Sequence, residues 1–397
     1  MPPIARRVAD APTSATVLIA DIATDMRRRG IDVIDFSAGR AAEHTPQYIR
    51  QEAIRALESG DTHQTPAQGT RRFREACAAK LERDNGVIAD PDTEIIATMG
   101  CKQGLTLALL SAADVGAEVI VEDPGFVSYA PTVQFCGAVP VPVPLRSVNG
   151  FRWSAEDLEA AVTPRTRAIV FCSPHNPTGT VHTEADLEVV ASVARRHDLF
   201  VITDAIYESV TWGGRAFLPI SRRPEMYERS ITLMGLTKSF AMGGWRIGFV
   251  HAPPAVIAGL LTLQQHLITC AGSFAQAGAA TALSGEIDPG VRALWADWER
   301  RCAFMVDALD QIPNVSCRMP EGAFYAWADV SALGIPSVEL AERILRDQRV
   351  AVVPGAAFGP AGEGYLRITC VRSWTELREG SMRLAEALGA LSHVATG

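Results

Sequence analysis

Lysine is scarce in this 397-residue chain, which has it only at Lys80, Lys102 and Lys238, whereas arginine supplies the other 34 basic residues. A lysine amine can form an imine with an aldehyde, and an arginine guanidinium cannot. If the chain uses Schiff-base chemistry, one of these three lysines must therefore carry it.

Cysteine and histidine are present but do not cluster. The eight cysteines lie at least 15 residues apart, and the eight histidines form neither HExxH nor HxH. These spacings exclude CxxC redox and zinc-ribbon motifs, and a disulfide framework is unusual in a chain this long. We therefore expect mostly buried, unpaired cysteines and no dedicated metal site.

Long apolar runs and excess positive charge are also missing. No run approaches the ~20 residues of a membrane-spanning helix, and the N-terminal sequence lacks the apolar segment of a signal peptide. The net charge of −8 argues against binding nucleic acid through its phosphates. With 48% hydrophobic residues, the chain can form a large core. We expect a cytoplasmic protein that binds neither nucleic acid nor membranes.

Short apolar strands alternate with helices from about residue 49 onward. Helices are predicted at 102–113, 154–162 and 183–197, the last with Thr183 as N-cap and Asp186 three residues on. Strands are predicted at residues 93–99, 117–121, 139–145, 167–172, 199–203, 230–234 and 247–251. Prolines favour an edge strand or an irregular segment for 139–145. The pattern is typical of a mainly parallel sheet covered by helices on both faces.

The remainder of the chain predicts a smaller α+β domain. A helical connector at 253–283 precedes a long helix at 288–311, strands at 324–329, 350–353 and 365–369, and a last helix at 375–391. The first 45 residues read as mostly helical, with a helix start at 12–14. We divide the chain into an N-terminal arm that joins the small domain (1–45), a large domain (46–283) and a small domain (284–397).

Three segments place reactive side chains directly after strands. Residues 172–179 (CSPHNPTG) contain Asn176, and taken alone the segment is typical of an ordinary turn. Asp204 ends a strand, with Tyr207 three residues later. Lys238 follows another strand and precedes a glycine-rich stretch and Arg246, which can bind an anion bidentately. Ligands of open α/β sheets bind at the carboxyl ends of strands, so the three segments predict one ligand site.

In their order and spacing, these segments resemble the fold-type-I pyridoxal-phosphate enzymes of the class I/II, aspartate aminotransferase-like family. The resemblance runs from about residue 14 to residue 388 and includes residues 100–103 (GCKQ), 123–129 (DPGFVSY), 204–208 (DAIYE), 320–325 (PEGAFY) and 365–368 (YLRI). It implies a large domain with a seven-stranded, mainly parallel sheet, a smaller α+β C-terminal domain and pyridoxal 5'-phosphate. It also implies amino-acid and 2-oxo-acid substrates, and a homodimer with active sites at its interface.

The resemblance also implies roles around the cofactor ring. Lys238 would form a Schiff base with the cofactor and then move the substrate Cα proton. Asp204 would keep the ring nitrogen protonated, and Tyr207 and Asn176 would bond the phenolic oxygen. Phe126 would stack on the ring, although an aromatic residue of the core is the alternative interpretation.

Further residues are implied at the cofactor phosphate. The backbone N–H groups of Cys101 and Lys102 and the guanidinium of Arg246 would bind it, with the Lys102 side chain solvated. Gln64 would reach the partner subunit's phosphate, where relatives usually have tyrosine. Gly235 stands where relatives often have serine, so two hydroxyl donors to the phosphate are missing.

At the substrate, the resemblance assigns Arg367 to the α-carboxylate, helped by Asn176 and the backbone near Gly39. Arg40 adds a charge near the expected mouth of the site, which indicates either a solvated arginine or an unusual substrate. Lys80, on a helix rich in arginine and glutamate, is predicted to face solvent.

An aminotransferase that works through Lys238 is the leading interpretation of these residues. A pyridoxal-phosphate lyase or synthase that catalyses elimination, substitution or cyclisation is the alternative, and the cofactor residues do not distinguish the two. A non-catalytic regulator is disfavoured, because the chain has no segment for a DNA-binding module and is acidic.

Overall fold

A computed structural model describes residues 15–392 and four isolated positions before them, Pro2, Ile4, Ala5 and Val8. Within this part of the chain there are twelve α-helices and thirteen strands, which form three sheets. No helix in the described part has the length and apolar character needed to cross a membrane.

The helices are α1 (Ala15–Arg28), α2 (Gln47–Glu58), α3 (Arg71–Asn85), α4 (Cys101–Ala112), α5 (Tyr129–Phe135), α6 (Ala155–Ala160), α7 (Glu184–Arg196), α8 (Pro254–Leu267), α9 (Ser273–Leu283), α10 (Pro289–Asp310), α11 (Ser337–Gln348) and α12 (Trp374–Ser392). The strands are β1 (Ile34–Asp35), β2 (Ile95–Thr98), β3 (Glu118–Asp123), β4 (Val139–Pro144), β5 (Thr166–Cys172), β6 (Phe200–Asp204), β7 (Ser230–Gly235), β8 (Gly248–His251), β9 (Ser316–Cys317), β10 (Tyr325–Asp329), β11 (Val350–Ala351), β12 (Val353–Pro354) and β13 (Tyr365–Thr369).

The large sheet has seven strands in the order β2-β8-β7-β6-β5-β3-β4. Only β8 runs antiparallel to its neighbours, so the prediction of a mainly parallel sheet is confirmed. The proline-containing β4 lies at an edge, which is one of the two predicted alternatives. Successive side chains of a strand point to opposite faces. Accordingly, Val119 and Val121 pack into one core cluster and Ile120 into the other, which places apolar layers on both faces.

Helix boundaries follow from local chemistry in some places and not in others. Thr183 and Asp186 form the predicted capping box at the start of α7. The predicted single connector at 253–283 is wrong in detail, because residues 268–272 separate α8 from α9, and Thr269 has a φ of 70°. The first 45 residues are less helical than predicted, since β1 follows α1. The predicted helix start at 12–14 lies outside the described residues.

The smaller α+β part contains a four-stranded antiparallel sheet in the order β12-β13-β10-β9. A separate two-stranded sheet pairs β1 with β11 in parallel, which ties the segment after α1 to the C-terminal part of the chain. This pairing matters for function because residues 37–40 follow β1 directly and are thereby placed beside β13. The exact domain boundaries stay a prediction.

Candidate active site

A cavity of about 460 Å³ opens where β5, β6 and β7 end and α4 begins. Eleven of the twelve site residues predicted from the sequence line it: Gly39, Arg40, Cys101, Lys102, Phe126, Asn176, Asp204, Tyr207, Lys238, Arg246 and Arg367. Gln64 does not line this cavity and is exposed elsewhere on the chain. Parallel strands bring their carboxyl ends to one edge, so side chains distant in sequence meet here.

Asp204 lies at the end of β6 with only 7% of its surface exposed. Its carboxylate accepts hydrogen bonds from the Tyr129 hydroxyl (3.0 Å) and the Ile206 N–H (3.3 Å). No described Lys, Arg or His forms an ion pair with it, and burial raises its pKa to about 6. A buried carboxylate that lacks a cation suits a protonated ring nitrogen, so this residue fits a pyridoxal ring.

Lys238 projects into the cavity from the loop after β7. Its Nζ donates to the Gly39 carbonyl at 2.5 Å and lies 5.7 Å from the centre of the Tyr207 ring. The amine forms no ion pair with a described carboxylate, and it shares the cavity with Asp204. Its position meets the requirement for a nucleophilic amine, which must reach an aldehyde without being held by a carboxylate.

The Tyr207 side chain is buried between β6 and β10. Its hydroxyl lies 2.7 Å from the Tyr325 hydroxyl, and its ring packs edge-on against Phe324 and Tyr325. Burial raises the pKa of Tyr207 well above its usual value, so the hydroxyl keeps its proton at neutral pH. Phe126 is half-buried on the cavity wall and packs edge-on against Tyr129. Its exposure to the cavity leaves a face that a ring can stack upon.

Arg367 on β13 is 2% exposed. Its Nη1 donates to the Asn176 Oδ1 (3.1 Å) and its Nη2 to the Ser37 carbonyl (2.7 Å). The guanidinium stacks on the ring of Tyr325 with 4.3 Å between its carbon and the ring centre. Its buried Nε has no hydrogen-bond partner in the described part of the chain. Because buried donors rarely stay unpaired, this arginine fits an incoming carboxylate.

The N-terminus of α4 faces the cavity and offers an anion site. Gly100 has a φ of 77°, and a Cβ there would lie 2.8 Å from Arg246 Nη2, so the glycine allows the guanidinium to approach the helix end. Arg246 also donates to the carbonyls of Met99 and Gly243. The helix dipole, the first-turn N–H groups of Cys101 and Lys102 and this guanidinium all favour a phosphate.

Two neighbours of this anion site refine the predictions. Lys102 is exposed as predicted, but its Nζ also lies 5.5 Å from the Phe126 ring centre. Its pKa is lowered by partial burial and by the charges of Arg246 and Lys238. A Cβ at Gly235 would lie 3.0 Å from the Cys101 Sγ and 2.9 Å from Ile206, so the glycine makes room for these side chains.

The prediction that Lys80 faces solvent is wrong. Lys80 is 4% exposed, and its Nζ pairs with Glu208 at 2.8 Å and bonds the Asn85 Oδ1 at 2.7 Å. It lies seven residues after the buried Phe73, on the buried face of α3, so helical spacing carried a signal for its burial. The pair connects α3 to the turn that carries Tyr207.

Comparison with known proteins agrees with this geometry. Residues 31–384 match the family model for aminotransferases of class I and II. The chain belongs to the class I and II aminotransferase family. The chain is 39% identical to the aromatic-amino-acid aminotransferase 2 of Thermococcus litoralis over 91% of this chain and 93% of that one. It is also 39% identical to an aspartate aminotransferase of Pyrococcus abyssi, over 93% of this chain and 94% of that one.

A solved structure shows the same relationship. The aspartate aminotransferase of Thermus thermophilus, solved with maleate, has a TM-score of 0.91 and 35% identity, and the match covers 98% of this chain and 100% of that one. The fold is therefore pyridoxal-phosphate fold type I. This class I and II aminotransferase transfers an amino group between an α-amino acid and a 2-oxo acid, and members of its family depend on pyridoxal phosphate.

Two residues of the site were missed by the sequence motifs. Tyr129 hydrogen-bonds Asp204, and Tyr325 hydrogen-bonds Tyr207. Both belong to segments that contribute to the family resemblance, 123–129 and 320–325. Their hydroxyl contacts join separate segments of the chain, and no local pattern in the sequence indicates such contacts.

Proposed function

We propose that Lys238, Asp204, Tyr207 and Arg367 are the working residues of a pyridoxal-phosphate aminotransferase that prefers amino acids with an acidic side chain. The observation that carries the cofactor assignment is the buried carboxylate of Asp204, which forms no ion pair with a described Lys, Arg or His and shares its cavity with the amine of Lys238. The cationic side chains of Arg40 and Lys102 remain on the cavity wall for the substrate side chain, and they carry the substrate assignment.

The bound cofactor supplies a ring that accepts the negative charge left when the substrate Cα loses its proton. Lys238 Nζ removes that proton and returns it, since general bases act at hydrogen-bond distance. Asp204 holds a proton on the ring nitrogen, and Tyr129 fixes the carboxylate by its 3.0 Å hydrogen bond. Tyr207 and Asn176 donate to the phenolic oxygen.

At the other end of the cavity, the N–H groups of Cys101 and Lys102 and the Arg246 side chain hold the phosphate. The buried guanidinium of Arg367 binds the α-carboxylate. Asn176 orients this guanidinium, because its Oδ1 accepts a hydrogen bond from Arg367 Nη1 at 3.1 Å. Phe126 covers the ring and helps to exclude water. These groups fix the Cα–H bond of the substrate near Lys238, which orients it for proton transfer.

The side-chain preference follows from the charges of the cavity wall. Asp204 is the only carboxylate among the described lining residues, whereas Arg40 and Lys102 are two cations that neither phosphate nor α-carboxylate requires as side chains. Both side chains are exposed on the cavity wall, where a second carboxylate of the substrate would contact them. Support also comes from the aspartate aminotransferases among the relatives and from the dicarboxylate maleate in the Thermus structure.

A product screen tests this proposal. The purified enzyme is incubated with each common amino acid and with 2-oxoglutarate, and the oxo acid, the new amino acid and ammonia are measured together. We expect equal amounts of oxo acid and new amino acid, with aspartate among the best donors. Ammonia or a cyclised product in place of a new amino acid would indicate the lyase or synthase alternative. A strong preference for neutral aliphatic donors would refute the acidic preference.

We also propose a homodimer in the cytoplasm. The eight cysteines are unpaired, as is usual in a reducing compartment. Large apolar side chains are exposed on α2 (Ile54, Leu57), α8 (Leu267) and α9 (Phe274), and a second copy of the chain would cover them. In that dimer Gln64 would reach the partner subunit's phosphate. Light scattering coupled to size-exclusion chromatography tests this, and a monomeric active enzyme would contradict it.

A further inference from the structure

Tyr325, at the start of β10, contacts three parts of the proposed site at once. It is 1% exposed, and its hydroxyl lies 2.7 Å from that of Tyr207. Its ring supports the Arg367 guanidinium at 4.3 Å. Its hydroxyl also lies so near Gly39 that a Cβ there would be 2.3 Å away. The side chain is therefore held in place between the proposed cofactor-binding and carboxylate-binding groups.

The direction of the Tyr207–Tyr325 hydrogen bond follows from counting protons. A tyrosine hydroxyl has one proton to donate and can also accept. The proposed function requires Tyr207 to donate its proton to the phenolic oxygen of the cofactor, so that proton is not available to Tyr325. At 2.7 Å, the bond between the two hydroxyls must then be donated by Tyr325.

We infer that Tyr325 is a positioning residue for the transamination reaction: its hydroxyl donates to Tyr207 and thereby directs the Tyr207 proton at the cofactor phenolic oxygen. The inference rests on the proposed function. Donating to an oxygen strengthens that group as a donor in turn, because consecutive hydrogen bonds polarise one another. Tyr325 thus strengthens the hydrogen bond that Tyr207 makes to the phenolic oxygen.

Tyr325→Phe removes the hydroxyl and keeps the ring under Arg367, so the carboxylate-binding group stays supported. The charged and titratable groups that face Tyr207 and Lys238 are unchanged by this substitution: Asp204, Tyr129, Cys101, Cys172, Lys102, Arg246 and Arg367. A change in titration of the bound cofactor can then be assigned to the lost hydroxyl.

The readout is the pH-dependent absorbance of the bound cofactor in the absence of substrate, which reports the pKa of the nitrogen linked to Lys238. When this nitrogen loses its proton, it no longer donates a hydrogen bond to the phenolic oxygen of the cofactor. That oxygen then depends more on the hydrogen bond from Tyr207. A weaker Tyr207 bond therefore raises this pKa. The free energy of a neutral hydrogen bond corresponds to a pKa shift of about 0.4–1 unit. We expect the pKa of this nitrogen to rise within that range in Tyr325→Phe.

Two comparisons separate positioning from general damage. Tyr365→Phe makes the same chemical change on β13, where the ring stacks on Trp327 outside the cavity, and it should leave the titration unchanged. In a Tyr207→Phe background, Tyr325→Phe should add almost no further shift, because the hydroxyl it acts through is gone. An equal shift in both backgrounds, or no shift in the wild-type background, overturns the inference.

The same titrations distinguish failure of this inference from failure of the proposed function. If Tyr207→Phe shifts the pKa and Tyr325→Phe does not, Tyr207 keeps its proposed role and only the inference about Tyr325 is wrong. If Tyr207→Phe itself causes no shift, the proposed contact of Tyr207 with the phenolic oxygen is wrong, and the inference falls with it.

Discussion

Replacing Arg367 by lysine tests the carboxylate-binding role most directly. The Arg367 guanidinium is buried, stacked on Tyr325 and bonded to Asn176 and the Ser37 carbonyl, so its orientation is fixed before a ligand arrives. A lysine amine at this position has no planar fork, and it cannot satisfy both existing acceptors and also bind a carboxylate through two parallel bonds.

The size of the effect follows from burial. Loss of one partner from a desolvated charge pair typically costs about 2–5 kcal/mol, which corresponds to roughly 30- to 4,000-fold in binding. Since Arg367→Lys keeps a positive charge, we expect kcat/KM to fall within the lower half of this range, about 30- to 300-fold. The fall should be similar for every amino-acid donor, because all donors share the α-carboxylate.

The assay measures kcat/KM for aspartate, phenylalanine and alanine, together with the absorbance of the bound cofactor. The absorbance should not change, since Arg367 is assigned to substrate. Arg40→Ala is the control, because it removes an exposed cation from the mouth and should lower activity only with aspartate. A nearly silent Arg367→Lys variant would refute the reasoning and would make Arg40 the first alternative for the α-carboxylate.

Three further predictions follow from buried groups. Lys80→Met leaves Glu208 without its cation and should lower the free energy of unfolding, measured with urea, by about 3–5 kcal/mol. The double variant Lys80→Met with Glu208→Met should recover most of this loss. A loss as small as that typical of a surface lysine would contradict the buried pair. Borohydride reduction should attach the pyridoxyl group to the peptide containing Lys238, and labelling at another lysine would overturn the assignment. Because burial raises the Asp204 pKa to about 6, the cofactor-free fold binds a proton that the unfolded chain releases above about pH 4. The contribution of Asp204 to the stability of the cofactor-free protein should therefore fall as pH rises from about 4 to 6, and Asp204→Asn should remove this contribution from the pH dependence.

The fold and most of the site could be predicted because their signals are local. Apolar runs followed by turns gave the strands, and Asn176, Asp204 and Lys238 each follow such a run, so the topology brings them together. Helical spacing places Lys80 on the buried face of α3, but its partner Glu208 lies 128 positions later in the chain, and the helix read alone does not indicate that pairing. The Tyr129–Asp204 and Tyr207–Tyr325 contacts likewise depend on tertiary packing, which the spacing of motifs does not report.

The order of the site residues along the chain has a consequence for biosynthesis. The residues proposed to hold the cofactor of their own subunit lie between Cys101 and Arg246, whereas Arg367 is on β13. A ribosome therefore completes every side chain proposed to hold the cofactor more than 100 residues before it makes the proposed substrate-binding arginine. A nascent chain that captured cofactor early would still be unable to bind an amino acid through Arg367 until that arginine had been made.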